Sequence, residues 1–151
     1  MRRSVQFPIK GTFYYAADMA IELSLLAIDE TLRFQLEPEN PYDENAVQIW
    51  LPKAVHAYIK NHSKQEMTHG LLLGYVPRSL APKIASHVQH PESLDLRIKH
   101  YAKHGKQIEI DCLVTIDQAW LNYLSLLIHS KFISQIERFK RFKQRTWNKS
   151  T

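Results

Sequence analysis

The chain has 151 residues, 44% hydrophobic and 23% charged, a composition that suits one globular domain with a real core. No apolar run is long enough to span a membrane, and the residues after Met1-Arg2-Arg3 contain no signal-peptide core. A single cysteine, Cys112, excludes an internal disulfide framework and fits a reducing compartment, while the net charge of +5 points to an anionic partner.

Ser4 to Tyr15 reads as a first strand, with Gly11 as a bulge or close-approach point. Asp18 to Asp29 places Ile21, Leu25 and Ile28 on one helix face and is expected to form a short helix or lid. Residues 31–36 and 46–51 alternate polar and apolar, as half-buried strands do. Between them lies Glu37-Pro38-Glu39-Asn40-Pro41-Tyr42-Asp43-Glu44-Asn45, which carries more chemistry than a hairpin turn needs. An aromatic ring beside a carboxylate and two carboxamides can stack on a ring and hydrogen-bond a hydroxyl. The plain alternative is a loop whose Asp and Asn side chains bond their own backbone.

Pro52 to Gly70 is a polar interruption, with a short helix possible at Ala54 to Lys60. Leu71 to Val76 is a compact apolar strand. A helix follows with Leu80, Ile84 and Val88 at fourfold spacing and Pro82 in its first turn. Leu94 to Tyr101 and Lys106 to Ile116 alternate around a His104-Gly105 turn and form a long hairpin. Cys112 lies in its apolar run and reads as a buried, inert thiol.

Asp117 is expected to cap a final helix reaching about Arg145. Trp120, Leu124, Leu127 and Ile128 form its apolar stripe; its second half sets Phe132, Ile136, Phe139 and Phe142 among basic residues. Residues 131–151 hold seven basic residues and one acid, a local charge of +6 that leaves the body near neutral. Arg138, Lys140, Arg141, Lys143 and Arg145 thus form a candidate electrostatic tail for a polyanion. The alternative is a solvated basic helix end, favoured by the helix dipole.

Together these elements predict a mainly β protein with α additions: an OB-like small β-barrel with a mid-chain helix and a long C-terminal helix. Residues 1–117 are expected to form the barrel domain and 118–151 the basic helix and tail. The spacing of His56, His62 and His69 matches no standard zinc pattern, so these read as loop histidines without a metal. Asp29, Glu30 and Glu37 read as solvated edge residues. With no paired carboxylates, phosphate loop or activated nucleophile, a non-enzymatic protein without a cofactor is expected.

Three motifs carry a resemblance. Gly11-Thr12-Phe13-Tyr14-Tyr15, Glu37 to Ala46, and Leu73-Gly74-Tyr75-Val76-Pro77-Arg78-Ser79-Leu80-Ala81 occur in the order and contexts of a HIRAN domain. The resemblance covers roughly residues 5–116. It implies a module that binds single-stranded DNA at a free 3′ end, with a role in DNA repair; the expected location is cytoplasmic, nucleoid-associated in a bacterium. It implies that Tyr14 and Tyr42 stack on bases, Asp43 accepts a hydrogen bond from the 3′-hydroxyl, Asn40 helps hold the end nucleotide, and Arg78 lies near phosphate. Phe13 stands where the DNA-binding helicase domain has arginine, and Tyr75 replaces a histidine. Residues 52–70 are an insertion relative to the family, one that either enlarges the binding surface or obstructs it. The alternatives are a protein-interaction adaptor that keeps the fold without end binding, with a protein partner on the C-terminal helix, and an accessory subunit of a DNA-processing enzyme. A membrane-surface role for that helix ranks lower.

Overall fold

The computed structural model describes residues 2–52, 70–88, 94–117, 127–138 and 140. The possible helix at 54–60, the three loop histidines and the far end of the basic tail lie outside them. Six strands form one antiparallel sheet in the order β1-β6-β5-β2-β3-β4. They are β1 (Arg2–Pro8), β2 (Thr31–Leu36), β3 (Val47–Leu51), β4 (Leu71–Tyr75), β5 (Leu94–His104) and β6 (Gln107–Asp117).

The alternation that predicts strands also sets their inner face. In β6, Ile108, Ile110, Cys112, Val114 and Ile116 are all buried, every second residue facing the core. Val5 and Phe7 of β1 join them, and Phe7 stacks on Phe34 of β2 with ring centroids 6.5 Å apart. The sheet curls until its edges meet. Lys10, just past β1, and Tyr75, the last residue of β4, exchange two backbone hydrogen bonds of 2.8 Å. Curling of this kind gives the expected OB-like barrel, here a half-barrel. On its other side the seam is short: β2 and β5 pair through Thr31↔Arg97 and Leu32↔Leu96, and the residues before β2 extend it, with the Asp29 N–H donating to the Ile98 carbonyl at 2.8 Å and the Ile98 N–H to the Glu30 carbonyl at 3.1 Å.

Gly74 permits the closure. Its φ is 152°, and a Cβ there would sit 2.3 Å from the Lys10 carbonyl oxygen. A register shift at Ile49/Trp50 in the facing strand β3 adds local bend.

The first strand ends earlier than its apolar pattern predicts. Gly11 adopts a left-handed conformation, φ 76°, and opens a 3-10 turn over Thr12–Tyr14. The buried Thr12 hydroxyl fixes that turn by donating to the Ile108 carbonyl at 3.0 Å. Helix α1 (Ala17–Glu22) is shorter than expected, ending at Leu23 before Ser24 turns with positive φ. Lys103 on the outer hairpin braces α1 through Asp18 at 2.5 Å and Glu22 at 3.1 Å.

Helix α2 (Ala81–Val88) buries Ala81 and Ile84 and carries Pro82 in its first turn, where no hydrogen bond is lost. The last described helix, α3 (residues 127–138), leans on β1. Its inward face differs from the expected stripe: Ser130 donates to the Gln6 carbonyl and Ile133 enters the core, whereas Ile128 is 67% exposed. Trp120 and Leu124 lie outside the described residues. No described helix is long and apolar enough to cross a membrane.

Candidate functional site

A cleft of about 530 Å³ opens over the point where the sheet edges meet. Its walls come from four places: Lys10 and Tyr15 after β1; Asn40, Tyr42 and Asp43 between β2 and β3; Tyr75 at the end of β4 with Val76 to Ser79 after it; and α3. The volume lies in the range of pockets that enclose small organic groups.

The β2–β3 loop is held by its own side chains. Asn40 Oδ1 accepts from the Tyr42 and Asp43 backbone N–H groups at 2.9 and 3.1 Å, and Asn40 Nδ2 donates to Glu37 Oε2 at 2.7 Å. Asp43 Oδ1 accepts from the Asn45 N–H at 3.0 Å. These are Asx-type bonds, so part of the loop's polar chemistry serves the turn. With the backbone so fixed, Tyr42 is left 83% exposed at the cleft rim.

Arg78 enters from the first turn leading into α2, where the Leu80 N–H donates to the Pro77 carbonyl. Its guanidinium donates to the Tyr42 carbonyl, and its Nε lies 3.6 Å from Asp43 Oδ2. Tyr42, Asp43 and Arg78 therefore form a ridge. A second, shallower hollow of about 570 Å³ lies along it, lined by Pro41, Glu44, Asn45 and Pro82.

The floor is aromatic and hydrogen-bonded. Tyr15 packs on Tyr75 with ring centroids 5.3 Å apart. The Tyr75 hydroxyl donates to Glu37 Oε2 at 2.8 Å and accepts from Gln48 Nε2 at 3.4 Å, while Trp50 Nε1 donates to Gln48 Oε1. Burial, with Glu37 also contributing, pushes the Tyr75 phenol well above its ordinary range and keeps it a neutral donor. Glu37 is accordingly a half-buried acceptor under the cleft and not a solvated edge residue.

Asn40, Tyr42, Asp43, Tyr75 and Arg78 thus share one cleft. Phe13 and Tyr14 stand apart from it on the 3-10 turn, 63% and 80% exposed, edge to face at 5.5 Å. Arg138 and Lys140 lie on or just past α3, with Lys140 at the cleft, and Arg141, Lys143 and Arg145 lie outside the described residues. Among the described residues no group of His, Cys, Asp or Glu is arranged to hold a metal.

A family model described as the HIRAN domain matches residues 3–117. The chain belongs to the HIRAN domain family. Its fold is similar to the crystal structure of the HIRAN domain of human HLTF, with a TM-score of 0.50, 16% identity and 87% of each chain covered. A crystal structure of a protein from Lactobacillus plantarum matches at a TM-score of 0.49 and 18% identity, covering 77% of this chain and 99% of that one. No curated protein sequence matches the chain. HIRAN membership supports a DNA-binding module in general.

Several cleft residues of this HIRAN chain were not among the predicted ones. Tyr15 follows Tyr14 in the first motif, but only the 3-10 turn shows which of the two rings faces the cleft. Lys10 has no local signal, because its place follows from the edge closure. Ile133, Ile136 and Glu137 belong to α3, beyond the 3–117 match.

Proposed function

We propose that this chain is a non-enzymatic module that captures the free 3′ end of single-stranded DNA in the cleft above Tyr75. The observation that carries this reading is the meeting of Tyr42, Asp43, Tyr75 and Arg78 in one open cleft. Tyr42 offers an exposed ring to a base, and stacking tolerates any sequence. Arg78 is 76% exposed and its guanidinium suits a backbone phosphate. Asp43 Oδ2, facing that guanidinium, keeps capacity to accept from a terminal hydroxyl. A carboxylate repels a terminal phosphate, so Asp43 acts as a filter for end chemistry. Tyr14 and Phe13 extend the contact as an aromatic pair on the neighbouring surface.

The test is a titration of oligodeoxynucleotides that end in a 3′-hydroxyl, a 3′-phosphate or a blocked 3′ position. Tightest binding to the hydroxyl end is expected. Equal affinity for all three sinks end recognition. Asp43→Asn preserves an oxygen for the Asn45 N–H and removes the charge, so it should erase the penalty against the 3′-phosphate.

A second reading is a protein-interaction adaptor. It is favoured by α3, which walls one side of the cleft with Ile133 and Ile136. Absence of any nucleic-acid binding by a folded full-length chain would select it.

A further inference from the structure

Helix α3 lies beyond the matched domain yet supplies one wall of the cleft. Its Glu137 carboxylate is ion-paired with Lys10, and the same oxygen lies 3.8 Å from Lys140 Nζ. One anionic oxygen therefore faces two ammonium groups inside a cleft that also holds Arg78. A phosphodiester oxygen satisfies the same geometry. Lys10 is rigidly placed for such a role, because its backbone is doubly bonded to Tyr75 at the sheet closure.

We infer that Lys10 and Lys140 form a second backbone-phosphate subsite beside the strand-end pocket, and that Glu137 fills it until nucleic acid arrives. The inference rests on the function proposed above. The Lys10 side chain is 39% exposed and within reach of an incoming strand, and exchanging carboxylate for phosphate sets one anion in place of another against the same two ammonium groups. The helix need not leave for this exchange. It is fastened independently by Ser130 on the Gln6 carbonyl and by Ile133 in the core, so rotation of one side chain suffices. Asp43 and Glu137 then have opposite fates: the first stays to meet the end hydroxyl, the second turns away.

The experiment measures binding of a 5′-labelled oligodeoxynucleotide with a free 3′-hydroxyl by fluorescence anisotropy, using the full chain and its Glu137→Gln, Lys10→Gln and Tyr42→Ala variants. Both substitutions at the pair break the same contact, but the inference requires opposite effects. Glu137→Gln should tighten binding about three- to tenfold with the log–log salt slope little changed, because the same phosphate contact forms without a competing carboxylate. Lys10→Gln should weaken binding by a similar factor and flatten that slope. If both variants weaken binding, the pair is a structural tie and the inference fails, while loss of binding in Tyr42→Ala leaves the proposed function standing. If neither the unmodified chain nor any variant binds, the proposed function falls and takes this inference with it.

Discussion

Lys10 and Tyr75 exchange both of their backbone hydrogen bonds across the edges of the sheet, and the candidate cleft sits on that closure. Barrel geometry and binding geometry are thereby the same feature. The two side chains part from a shared backbone joint, Lys10 toward α3 and Tyr75 toward the β2–β3 loop.

Gly74 is the point at which this joint is easiest to break. Gly74→Ala brings a methyl group against the Lys10 carbonyl, with backbone on both sides of the clash. A loss of about 1–3 kcal/mol in stability is expected from strain and overpacking, read as a lower urea midpoint. Binding should weaken as well, because Lys10 and Tyr75 separate.

Tyr42 gives the cleanest test of the cleft. At 83% exposure it contributes little to the core, so Tyr42→Ala should leave the unfolding midpoint nearly unchanged. Its loss should cost about 1–3 kcal/mol in single-stranded DNA binding, the usual worth of a stacked base. Tyr14→Ala should cost less, since that ring stands outside the cleft. An oligonucleotide titration of both variants ranks the two rings, and the reverse order would move the end pocket to the 3-10 turn.

Tyr75→Phe removes the hydroxyl that joins Glu37 and Gln48 under the cleft. Glu37 keeps Asn40 as a donor, so the protein should fold, with a loss of about 1–2 kcal/mol for the two broken, half-buried bonds. Denaturant unfolding measures this. Affinity for DNA should also fall, because the Asn40 loop loses its anchor below.

Alkaline pH should destabilise the fold through two groups. Burial raises the Cys112 thiol above its ordinary value of 9.0, and Tyr75 is raised above 10.0. A group whose folded pKa is raised binds its proton more tightly in the native state. Their contributions are complete below pH 9 and are lost as pH rises, because the unfolded chain releases those protons first. The urea midpoint should therefore fall above pH 9, and Cys112→Ala should flatten the first part of that fall. In the native protein Cys112 should resist thiol reagents, since it is fully buried.

The strands were legible where one face alone meets the core. Residues 31–36 and 94–116 alternate, and the structure follows that alternation closely. The apolar content of residues 4–15 says nothing about where β1 stops. That depends on the left-handed Gly11 and on Thr12 finding the Ile108 carbonyl, 96 residues away. The same limit applies to α3. Helical spacing marks Ile128 and Phe132 as apolar, yet both are exposed, because contact with Gln6 and Lys10 decides which face turns inward. At the site, Tyr42, Asp43 and Arg78 could be named from their motifs, whereas Glu37 and Glu137 acquire their roles only from partners distant in the chain.

The short seam between β2 and β5 has a mechanical consequence. With two ladder pairs and the Asp29/Glu30–Ile98 backbone bonds there, and one bridge at Lys10–Tyr75 on the opposite side, the sheet consists of two three-stranded leaves whose joints pair fewer residues than the ladders within each leaf. Tyr42 and Arg78 ride on one leaf and Lys10 on the other. A strand end gripped by all three staples the leaves together. Nucleic acid should therefore quiet the breathing of the barrel, slowing amide exchange at Lys10 and Tyr75 through restraint of motion and not through shielding.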